Sequence, residues 1–541
     1  MAMHSREPTP EQQPLLSHHA DPPPLEERPG DDADPPPTPL PIQQLLLLCG
    51  MRLTESILFT VILPFINKMI EGLHMVPKTQ VGTYAGVVES LFALAEVSTG
   101  LFWGRLSDRI GRKPVLLSGL AGLSIAVMAF GLQRTFVGLV IARSLAGTMN
   151  GNIAVIKSSL ADSTDDSNKA RAFTLLPLCW AVGLMIGPAI GGYTAEPAVQ
   201  YPHSIFARYA FFSTYPYFIP CLVAGLLNIL AVALGALYLE ETLPSKVLKA
   251  QKRSAGALGA DDSLEDQERP DQVVRASALK DLLTRHVVTL LVSFWFMALE
   301  NSAWMVLVPL FSYTRVEDGG LGLSLAQIGM VLSLNGVVAL GVQMVLFPML
   351  HRKLGAVHLH RITRLSSPIA FIGLPIVRAV SLLFTDRAAA TSASFIGMVI
   401  VVAIKSVANM TSVCMTLLIN DSAPNKESVG SLNGLGQSVS SFSRAISPFL
   451  VGKLFSISLA AGKSPAASLI TRNLVWYYLI LVSLIGYSTT WMIHIVKKEP
   501  GGQPEYQPLL DGHDRSTDPV AARGEHQRLV PRGDSQPNYG E

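Results

Sequence analysis

Long apolar segments alternate with short polar segments along most of this chain. A helix needs about 20 apolar residues to cross the hydrocarbon core of a bilayer. Twelve segments reach that length, and they are numbered here as spans 1 to 12. They cover residues 42–66, 80–103, 114–133, 136–157, 171–193, 215–239, 286–312, 325–350, 363–384, 391–418, 428–458 and 473–496. This pattern predicts an all-α membrane protein with twelve transmembrane helices.

A longer polar segment divides the twelve spans into two groups of six. The chain therefore divides into an N-terminal half at 42–239, a cytoplasmic linker loop at 240–285 and a C-terminal half at 286–496. The tails at 1–41 and 497–541 have too few apolar side chains to form a packed core, so we expect them to be disordered. The N-terminal tail is also acidic and rich in proline.

The two halves carry similar short segments at equivalent places. Offsets of 246, 247 and 244 residues relate Val61–Phe65 to Leu307–Phe311, Gln80–Gly82 to Gln327–Gly329, and Arg109–Gly111 to Lys353–Gly355. Parallel repeats of this kind predict two pseudo-symmetric six-helix halves, with a substrate site near the membrane midplane between them.

Basic residues concentrate in the loops on one side of the predicted bundle. With the N-terminus in the cytoplasm, the cytoplasmic loops carry Arg105, Arg109, Arg112, Lys113, Lys157, Lys169, Arg171, Arg352, Lys353, Arg361 and Arg364. The opposite loops carry one or two each, such as Arg134, Arg208 and Arg315. Because loops rich in Lys and Arg stay in the cytoplasm, this bias predicts an integral multi-pass protein with both termini cytoplasmic.

The composition excludes several classes of function. Only 15% of the 541 residues are charged, against about 25% in soluble domains. The net charge of +2 gives no reason to expect nucleic acid as a partner. No P-loop, nucleophile elbow or HExxH motif is present, so we expect neither an ATP-driven pump nor an enzyme. The four cysteines lie in apolar segments without metal-site spacing.

The most specific motif joins spans 2 and 3. Its key positions are Gly104, Asp108, Arg109, Gly111, Arg112 and Lys113. Glycine permits a tight turn between helices, and ion pairs to Asp108 can exist in one conformation and break in another, as a gate requires. The motif resembles the signature of the major facilitator superfamily, G-x-L-x-D-R-x-G-R-K, and the resemblance extends over about residues 42–496. It implies that family's fold and a transport function.

A second motif lies in span 5, where Gly183, Gly187 and Gly191 share one helical face. Small residues on one face let another helix approach closely, and Pro188 permits a bend. With Gly192, the pattern G-x-x-x-G-P-x-x-G-G resembles the span-5 motif of the superfamily's twelve-span drug:proton antiporters. The resemblance implies an antiporter or exporter, and ordinary helix packing is the alternative interpretation.

Ionisable side chains lie inside the predicted spans, where a charge costs about 2.5–3.5 kcal/mol at the helix centre on insertion scales. The candidates for proton coupling are Arg52 and Glu55 in span 1, Glu89 in span 2, Arg143 in span 4 and Glu300 in span 7. A carboxylate in a low-dielectric cavity takes up a proton more readily, and a nearby cation opposes this. Separation of Glu55 from its cation would therefore trigger proton uptake, although Glu89 or Glu300 could equally be the carrier. For Arg143, which matches a coupling position of the superfamily's antiporters, the alternative is a structural ion pair.

Three further segments resemble one branch of the superfamily, the zinc-induced-facilitator-like transporters of plants and fungi. They are Cys49-x-x-Arg52-x-x-Glu55, Asn150-Gly151-Asn152 and Gly319-Gly320-Leu321-Gly322. The resemblance implies efflux or vacuolar loading of small organic molecules, metal chelators or drugs, without zinc itself as a ligand. The polar residues predicted for the substrate cavity are Asn150, Asn152, Asn301, Lys405 and Asn409. No metal or cofactor is expected, and His358 and His360 are predicted to be solvated.

Each tail carries an acidic dileucine pattern of the kind that sorting adaptors recognise. The key residues are Glu11, Leu15, Leu16, Glu505, Leu509 and Leu510. Functional signals would direct the protein to the vacuolar or lysosomal membrane, whereas chance matches would leave it in the plasma membrane.

Together these features predict a monomeric secondary transporter of small molecules, in which a proton gradient drives export by antiport and alternating access. Two alternatives stay open: a facilitator that moves substrate without protons, and a transporter-like receptor that moves none. The sequence does not identify the substrate or separate import from export.

Overall fold

The computed structural model describes residues 38–165, 168–243, 283–423, 428–464, 468–493, 495–497 and 505–507. Most of the predicted linker loop and of both tails lies outside the described residues. This holds for five of the six predicted sorting residues, namely Glu11, Leu15, Leu16, Leu509 and Leu510.

The described chain is almost entirely helical, which confirms the predicted fold class. Spans 1 to 6 are Ile42–Thr60, Val81–Ile110, Arg112–Gly131, Phe136–Met149 with Asn152–Asp162, Lys169–Thr194 and Phe218–Tyr238. Spans 7, 10, 11 and 12 are Arg285–Tyr313, Arg387–Asp421, Ser428–Gly462 and Leu474–Thr489, while spans 8 and 9 are built from Leu325–Gly341, Val342–Leu346, Phe347–Arg364 and Ser366–Ser381. Short helical segments in the connections are Ile66–Gly72, Lys78–Gln80, Pro197–Gln200, Ile205–Arg208, Ala210–Thr214, Leu469–Arg472 and Thr490–Met492.

Two short strands follow span 12. Ile495–Lys497 pairs antiparallel with Glu505–Gln507, and Val496 lies opposite Tyr506. Glu505 of the second sorting pattern therefore lies in a strand, within a tail that we expected to be disordered throughout.

Eleven helical stretches of the described residues are long and apolar enough to cross a membrane. One of them, Leu325–Ser381, has 57 residues. At 1.5 Å per residue a straight helix of that length would measure roughly 85 Å, far more than the ~30 Å hydrocarbon core. Gly355, whose φ is 70°, interrupts the stretch. The stretch therefore holds spans 8 and 9, which is consistent with twelve crossings.

The turn at Gly355 repeats the turn between spans 2 and 3. Gly111 has a φ of 106° at the end of span 2, and only glycine adopts such values without strain. Helix Val81–Ile110 and helix 325–354 begin and end 244 residues apart. The repeat seen in Arg109–Gly111 and Lys353–Gly355 is therefore a repeat of structure as well as of sequence.

Each half packs around its own apolar core. Phe65, Phe92 and Phe130 are buried in the N-terminal half. Phe311 and Phe371 are buried in the C-terminal half. The halves meet along two helix pairs, span 2 against span 11 and span 5 against span 8.

The two ends of the bundle are named by their connections. The tail face is where span 1 begins and where the chain turns at Gly111 and Gly355. The distal face carries the connections at 73–77, 195–217 and 314–324. The tail face corresponds to the predicted cytoplasmic side.

Span 2 contacts span 11 only in its distal part. A Cβ built on Gly86 would lie 2.3 Å from the backbone oxygen of Pro448, so only glycine fits there. Gly100 and Gly104 lie 18 residues after Gly82 and Gly86, which is five helical turns and therefore the same helix face. A Cβ on either of these two later glycines would meet nothing within 4 Å.

Span 11 likewise contacts span 2 in its distal part and not near the tail face. A Cβ on Gly452 would lie 2.1 Å from the backbone oxygen of Gly82. Gly434 lies five turns closer to the tail face on the same side of the helix, and a Cβ there would meet nothing within 4 Å. The two halves are thus closed against each other at the distal face and separated by a cleft that opens at the tail face.

The span-5 glycines form two contact faces. Gly183, Gly187 and Gly191 face span 1, where added Cβ atoms would lie 2.3, 2.0 and 1.9 Å from Ser56, Thr60 and Val61. The hydroxyl of Thr60 also donates a hydrogen bond to the carbonyl of Gly183 at 3.1 Å. Gly192 faces the other half, since its added Cβ would lie 2.6 Å from the backbone oxygen of Leu325. The carbonyl of Pro188 faces span 8 too, 2.5 Å from the place where a Cβ on Gly329 would lie.

We expect Gly191→Ala to lower the thermal unfolding temperature of the detergent-purified protein. The added methyl would overlap a backbone oxygen of Val61, which cannot move without displacing span 1. Overpacking of this kind costs about 1–3 kcal/mol. Gly50→Ala is the control, because a Cβ at Gly50 meets nothing within 4 Å. Equal melting temperatures for the two variants would contradict this packing.

Candidate functional site

The candidate site is the cleft and the charged groups around its inner end. The contact between spans 2 and 11 continues inward through Ser90, whose hydroxyl accepts a hydrogen bond from the amide of Phe449 at 3.0 Å. The contact ends where Arg444 binds Glu96 through two N–O contacts of 3.1 and 3.2 Å. The Arg444 side chain is 30% exposed. This ion pair joins the two halves at the inner end of the cleft.

Glu55 of span 1 lies close enough to this pair to interact electrostatically with both Glu96 and Arg444. Its nearest cation is Arg52, one turn earlier, with Nη1 and Oε2 2.8 Å apart. Neither carboxylate oxygen of Glu55 has a well-aligned hydrogen bond, although both are buried. The guanidinium of Arg52 instead lies over the ring of Trp180, 5.1 Å from its centre. Glu55 is thus a buried carboxylate with one weakly oriented partner.

Arg143 of span 4 binds Glu89 of span 2 within the N-terminal half. One guanidinium nitrogen donates to both carboxylate oxygens, at 3.0 and 3.2 Å. The same guanidinium lies over the ring of Phe92 at 4.1 Å. Glu89 and Glu96 lie two turns apart on one face of span 2, yet they bind arginines in different halves.

The C-terminal half contains a third internal arginine–glutamate pair. Arg364 donates to Glu300 at 2.6 Å, and both side chains are almost completely buried. We assigned Arg364 to a cytoplasmic loop, and that assignment is wrong because the helix of span 9 carries the residue into the bundle. Because Arg364 follows His360 and Arg361 by about one turn, the sequence pattern did not separate it from the basic residues of the loop.

Next to Glu300, the amide oxygen of Asn301 accepts a hydrogen bond from Lys405 of span 10 at 2.8 Å. Lys405 is only 3% exposed, whereas Asn301 is half-buried. Asn409, one turn along span 10, is also half-buried. These three predicted cavity residues therefore lie together in the C-terminal half.

The other two predicted cavity residues lie elsewhere. Asn150 is buried at the break between the two helices of span 4. Asn152 is completely buried against Gly119 of span 3, and it donates to the carbonyl of Met149 at 3.2 Å. Asn152 packs span 4 against span 3 and does not line the cleft.

The histidine prediction is also wrong for one residue. His358 is exposed as expected, but His360 is completely buried in span 9. Its Nε2 lies 3.5 Å from the hydroxyl of Ser293 in span 7. Among the described residues, no group of three or more His, Cys, Asp or Glu side chains could hold a metal ion.

The motif between spans 2 and 3 forms an ion-pair network at the tail face. Arg112 binds Asp108 at 2.6 Å and Asp162 of span 4 at 3.1 Å. Its backbone amide donates to Glu241, just after span 6, at 2.8 Å. A Cβ on Gly111 would overlap the Glu241 carboxylate. These four groups lie in one half, so the network ties the tail-face ends of spans 2, 3, 4 and 6 together.

The remaining motif residues lie on the surface of the same turn. Arg109 is exposed, whereas Gly104 and Lys113 are half-buried. Sequence alone did not identify Glu241 as part of the network, because it lies far from the motif along the chain.

A second cluster of polar contacts closes the distal face. The hydroxyl of Tyr313 in span 7 donates to Glu71 of the N-terminal half. Lys78 lies 3.2 Å from the same carboxylate. Burial alone would raise the pKa of Glu71, but the hydrogen bonds from Tyr313 and Lys78 outweigh it and hold this pKa below its usual range. Arg315 adds a further positive charge nearby.

The distal cluster lines a cavity of about 420 Å³ where the two halves meet. On its N-terminal side Glu196 binds Lys68 and accepts a hydrogen bond from the hydroxyl of Tyr217 at 3.2 Å. The Tyr313–Glu71 bond is the direct polar link between halves in this cluster, and it is called the distal latch below.

Comparison with known proteins gives the same architecture. The family model described as Major Facilitator Superfamily matches residues 46–448. The major facilitator superfamily multidrug transporter mfsB of Aspergillus fumigatus is 29% identical, covering 84% of this chain and 83% of mfsB. The major facilitator-type transporter psiT2 of Psilocybe cyanescens is 30% identical, covering 78% of this chain and 85% of psiT2. ZINC INDUCED FACILITATOR-LIKE 1 of Arabidopsis thaliana is 29% identical, covering 83% of this chain and 91% of that protein.

Solved structures resemble the fold at low sequence identity. A bacterial homolog of the human lysosomal transporter Spinster, in an inward-facing and unoccupied conformation, superimposes with a TM-score of 0.57 and 14% identity, covering 84% of this chain and 98% of that one. The POT family transporter PepTSo gives a TM-score of 0.57 at 14% identity, covering 84% of this chain and 99% of its own. These likenesses support the fold.

We expect Arg143→Met to destabilise the protein strongly, because it leaves Glu89 buried without its cation. Breaking a buried pair costs about 3–5 kcal/mol. The double variant Arg143→Met with Glu89→Leu should recover most of that loss. Thermal unfolding of the purified variants measures both, with Arg109→Met as an exposed-arginine control. A double variant no more stable than Arg143→Met would contradict the pairing.

We expect Tyr313→Phe to open the distal face by removing the latch hydrogen bond. Spin labels at exposed positions Val199 and Leu383, one in each half, should show an added population at longer distance. Tyr209→Phe, at an exposed distal tyrosine, is the control and should leave the distribution unchanged.

The latch should also tolerate moderate acid. Because the pKa of Glu71 is lowered, its contribution to closure is complete above the ordinary glutamate pKa of about 4.3 and is lost only as the pH falls through the lowered value. The wild-type distance distribution should therefore be the same at about pH 7 and about pH 5. Opening between those values would show that another group controls the latch.

Proposed function

The chain belongs to the major facilitator superfamily and is a transporter, and from this premise we propose that it exports small molecules by proton-coupled antiport. The two halves rock about the inner end of the cleft and expose it to each side of the membrane in turn. Orientation follows the positive-inside rule, with both termini cytoplasmic. The tail-face cleft then loads substrate from the cytoplasm.

The observation that carries the coupling proposal is the state of Glu55. The residue is 2% exposed, and neither of its carboxylate oxygens has a well-aligned hydrogen bond within the described residues. The charges of the Glu96–Arg444 pair, which joins the halves, act on it. A buried carboxylate whose charge is poorly compensated is the group most sensitive to a rearrangement of nearby charges. By contrast, Glu89 and Glu300 each receive at least one hydrogen bond from an arginine.

The proposed cycle follows from these contacts. In the tail-facing conformation Arg52 stabilises the Glu55 carboxylate, which has released its proton to the cytoplasm. When the halves rock, the Glu96–Arg444 pair rearranges and the field at Glu55 changes. Glu55 then takes up a proton from the distal side while the substrate leaves there.

Two lines of support favour export. The span-5 glycine motif, which packs spans 1, 5 and 8 together, resembles that of drug:proton antiporters. Relatives of similar length are named as a multidrug transporter in mfsB and as an efflux pump in azaK of Aspergillus niger, which is 26% identical. The acidic dileucine patterns favour a vacuolar or lysosomal membrane over the plasma membrane, and the protein works as a monomer without a resident cofactor.

The test uses the full chain in proteoliposomes with a trapped pH dye. A panel of lipophilic cations, amino acids, organic acids, siderophores and metal chelates is added under an imposed pH gradient. A transported solute should trigger proton movement in the wild type. Glu55→Gln should abolish this movement while the variant still exchanges solute down its gradient, because the fixed neutral side chain uncouples the two. Glu240→Gln, at an exposed carboxylate, is the control.

Each outcome has a defined meaning. Unchanged pH-driven transport in Glu55→Gln would remove Glu55 from the mechanism. Solute flux without proton movement in the wild type would establish a facilitator. No flux of any solute, together with a cellular response to one of them, would favour a receptor.

A further inference from the structure

The charges inside the bundle do not balance. Each of the four glutamates between the two faces already holds an arginine at 2.6 to 3.1 Å, in the pairs Glu55–Arg52, Glu89–Arg143, Glu96–Arg444 and Glu300–Arg364. Two further cations of the spans, Lys157 and Lys405, have no carboxylate of the described residues within ion-pair distance. The positive charges of these two lysines are therefore not balanced by an ion pair.

Lys405 is the more deeply placed of the two lysines. Among the described residues its hydrogen-bond partner is the neutral amide of Asn301, and Glu300 beside it is already bound to Arg364. The centre of the Trp304 ring lies 5.9 Å from the lysine nitrogen, and the buried indole N–H has no acceptor in the part of the chain that the structure describes. A cation and an unused donor thus lie side by side next to half-buried polar residues, where an anion would satisfy both.

Lys157 lies nearer the mouth of the cleft. It is exposed, and the charges of Arg52 in one half and Arg444 in the other act on it. Among the described residues, Glu55 and Glu96 already bind Arg52 and Arg444, and no carboxylate pairs with Lys157. Lys157 therefore adds an unpaired positive charge to this region.

Other basic side chains in the spans have different surroundings. Arg361 donates to the carbonyls of Thr490 and Ile493 at the end of span 12. Lys453 is exposed in the distal, closed part of span 11, next to Phe449. Lys453 thus provides a lysine in a span but outside the cleft, which makes it a matched control.

We propose that the transported substrate is an organic anion, such as a carboxylate or sulfonate, and that Lys405 and Lys157 are its charge partners. Burying an uncompensated cation in a low-dielectric site is unfavourable, and an anionic ligand removes that cost when it binds. A cationic substrate would meet repulsion along the same path. This inference rests on the proposed transport function and specifies its substrate class.

The test compares two dyes that share a xanthene ring, the anion fluorescein and an esterified rhodamine cation. Full-length protein in proteoliposomes should move fluorescein at least about tenfold faster than the rhodamine. Lys405→Met should raise the KM for fluorescein about tenfold, while Lys405→Arg keeps the charge and most of the activity. Lys157→Gln should act in the same direction, and Lys453→Met should match the wild type.

A binding measurement keeps the inference testable if a variant transports poorly. Quenching of tryptophan fluorescence by fluorescein in the detergent-purified protein should report binding, with the quenching weakened in Lys405→Met and restored in Lys405→Arg. Equal or faster movement of the rhodamine, or an unchanged fluorescein affinity in both lysine variants, would overturn the proposal. Absence of fluorescein binding and transport in the wild type would overturn it as well. Lysine-dependent binding without movement of either dye would retain the anion site and refute the transport function instead.

Discussion

The interior of this bundle is governed by one constraint, that a charge in a low-dielectric environment must be compensated. Four glutamates and four arginines satisfy it in pairs. In three of these pairs both partners belong to the same half, so these pairs help each half to behave as a rigid unit. The fourth, Glu96–Arg444, joins the halves at the inner end of the cleft. The placement of the pairs therefore decides which parts of the molecule stay fixed and where relative movement must rearrange a charge.

Backbone contact at glycine is the second element on which the conformation depends. At the distal ends of spans 2 and 11, Gly86 and Gly452 bring backbones together more closely than any side chain would permit. The same helix faces carry Gly104 and Gly434 five turns nearer the tail face, where an added Cβ would meet no described atom within 4 Å. The latch between Tyr313 and Glu71 helps to hold the closed end.

The two halves share their architecture but not their chemistry. The left-handed turns at Gly111 and Gly355 and the helices before them match at an offset of 244 residues. Glu55 and Glu300 are related by nearly the same offset. Glu55 is paired with an arginine of its own helix, and the hydrogen bond between them is poorly aligned. Glu300 is paired with Arg364 from a different span at 2.6 Å. A repeated carboxylate position has therefore become a loosely compensated group in one half and a firmly held one in the other.

Hydropathy determined the helical membrane fold, the division into two halves and most span positions, because apolar length is a local property. Spacing alone also indicated the tight turn at Gly111, the glycine face of span 5 and the Arg52–Glu55 contact, since these depend on neighbours along one helix. Tertiary structure decided the rest. The partners of Glu96 and Glu300 lie 348 and 64 residues away, so no local pattern could reveal them. The burial of His360 and Arg364 and the packing of Asn152 against Gly119 depend on which helix face points inward, and packing between helices sets that direction.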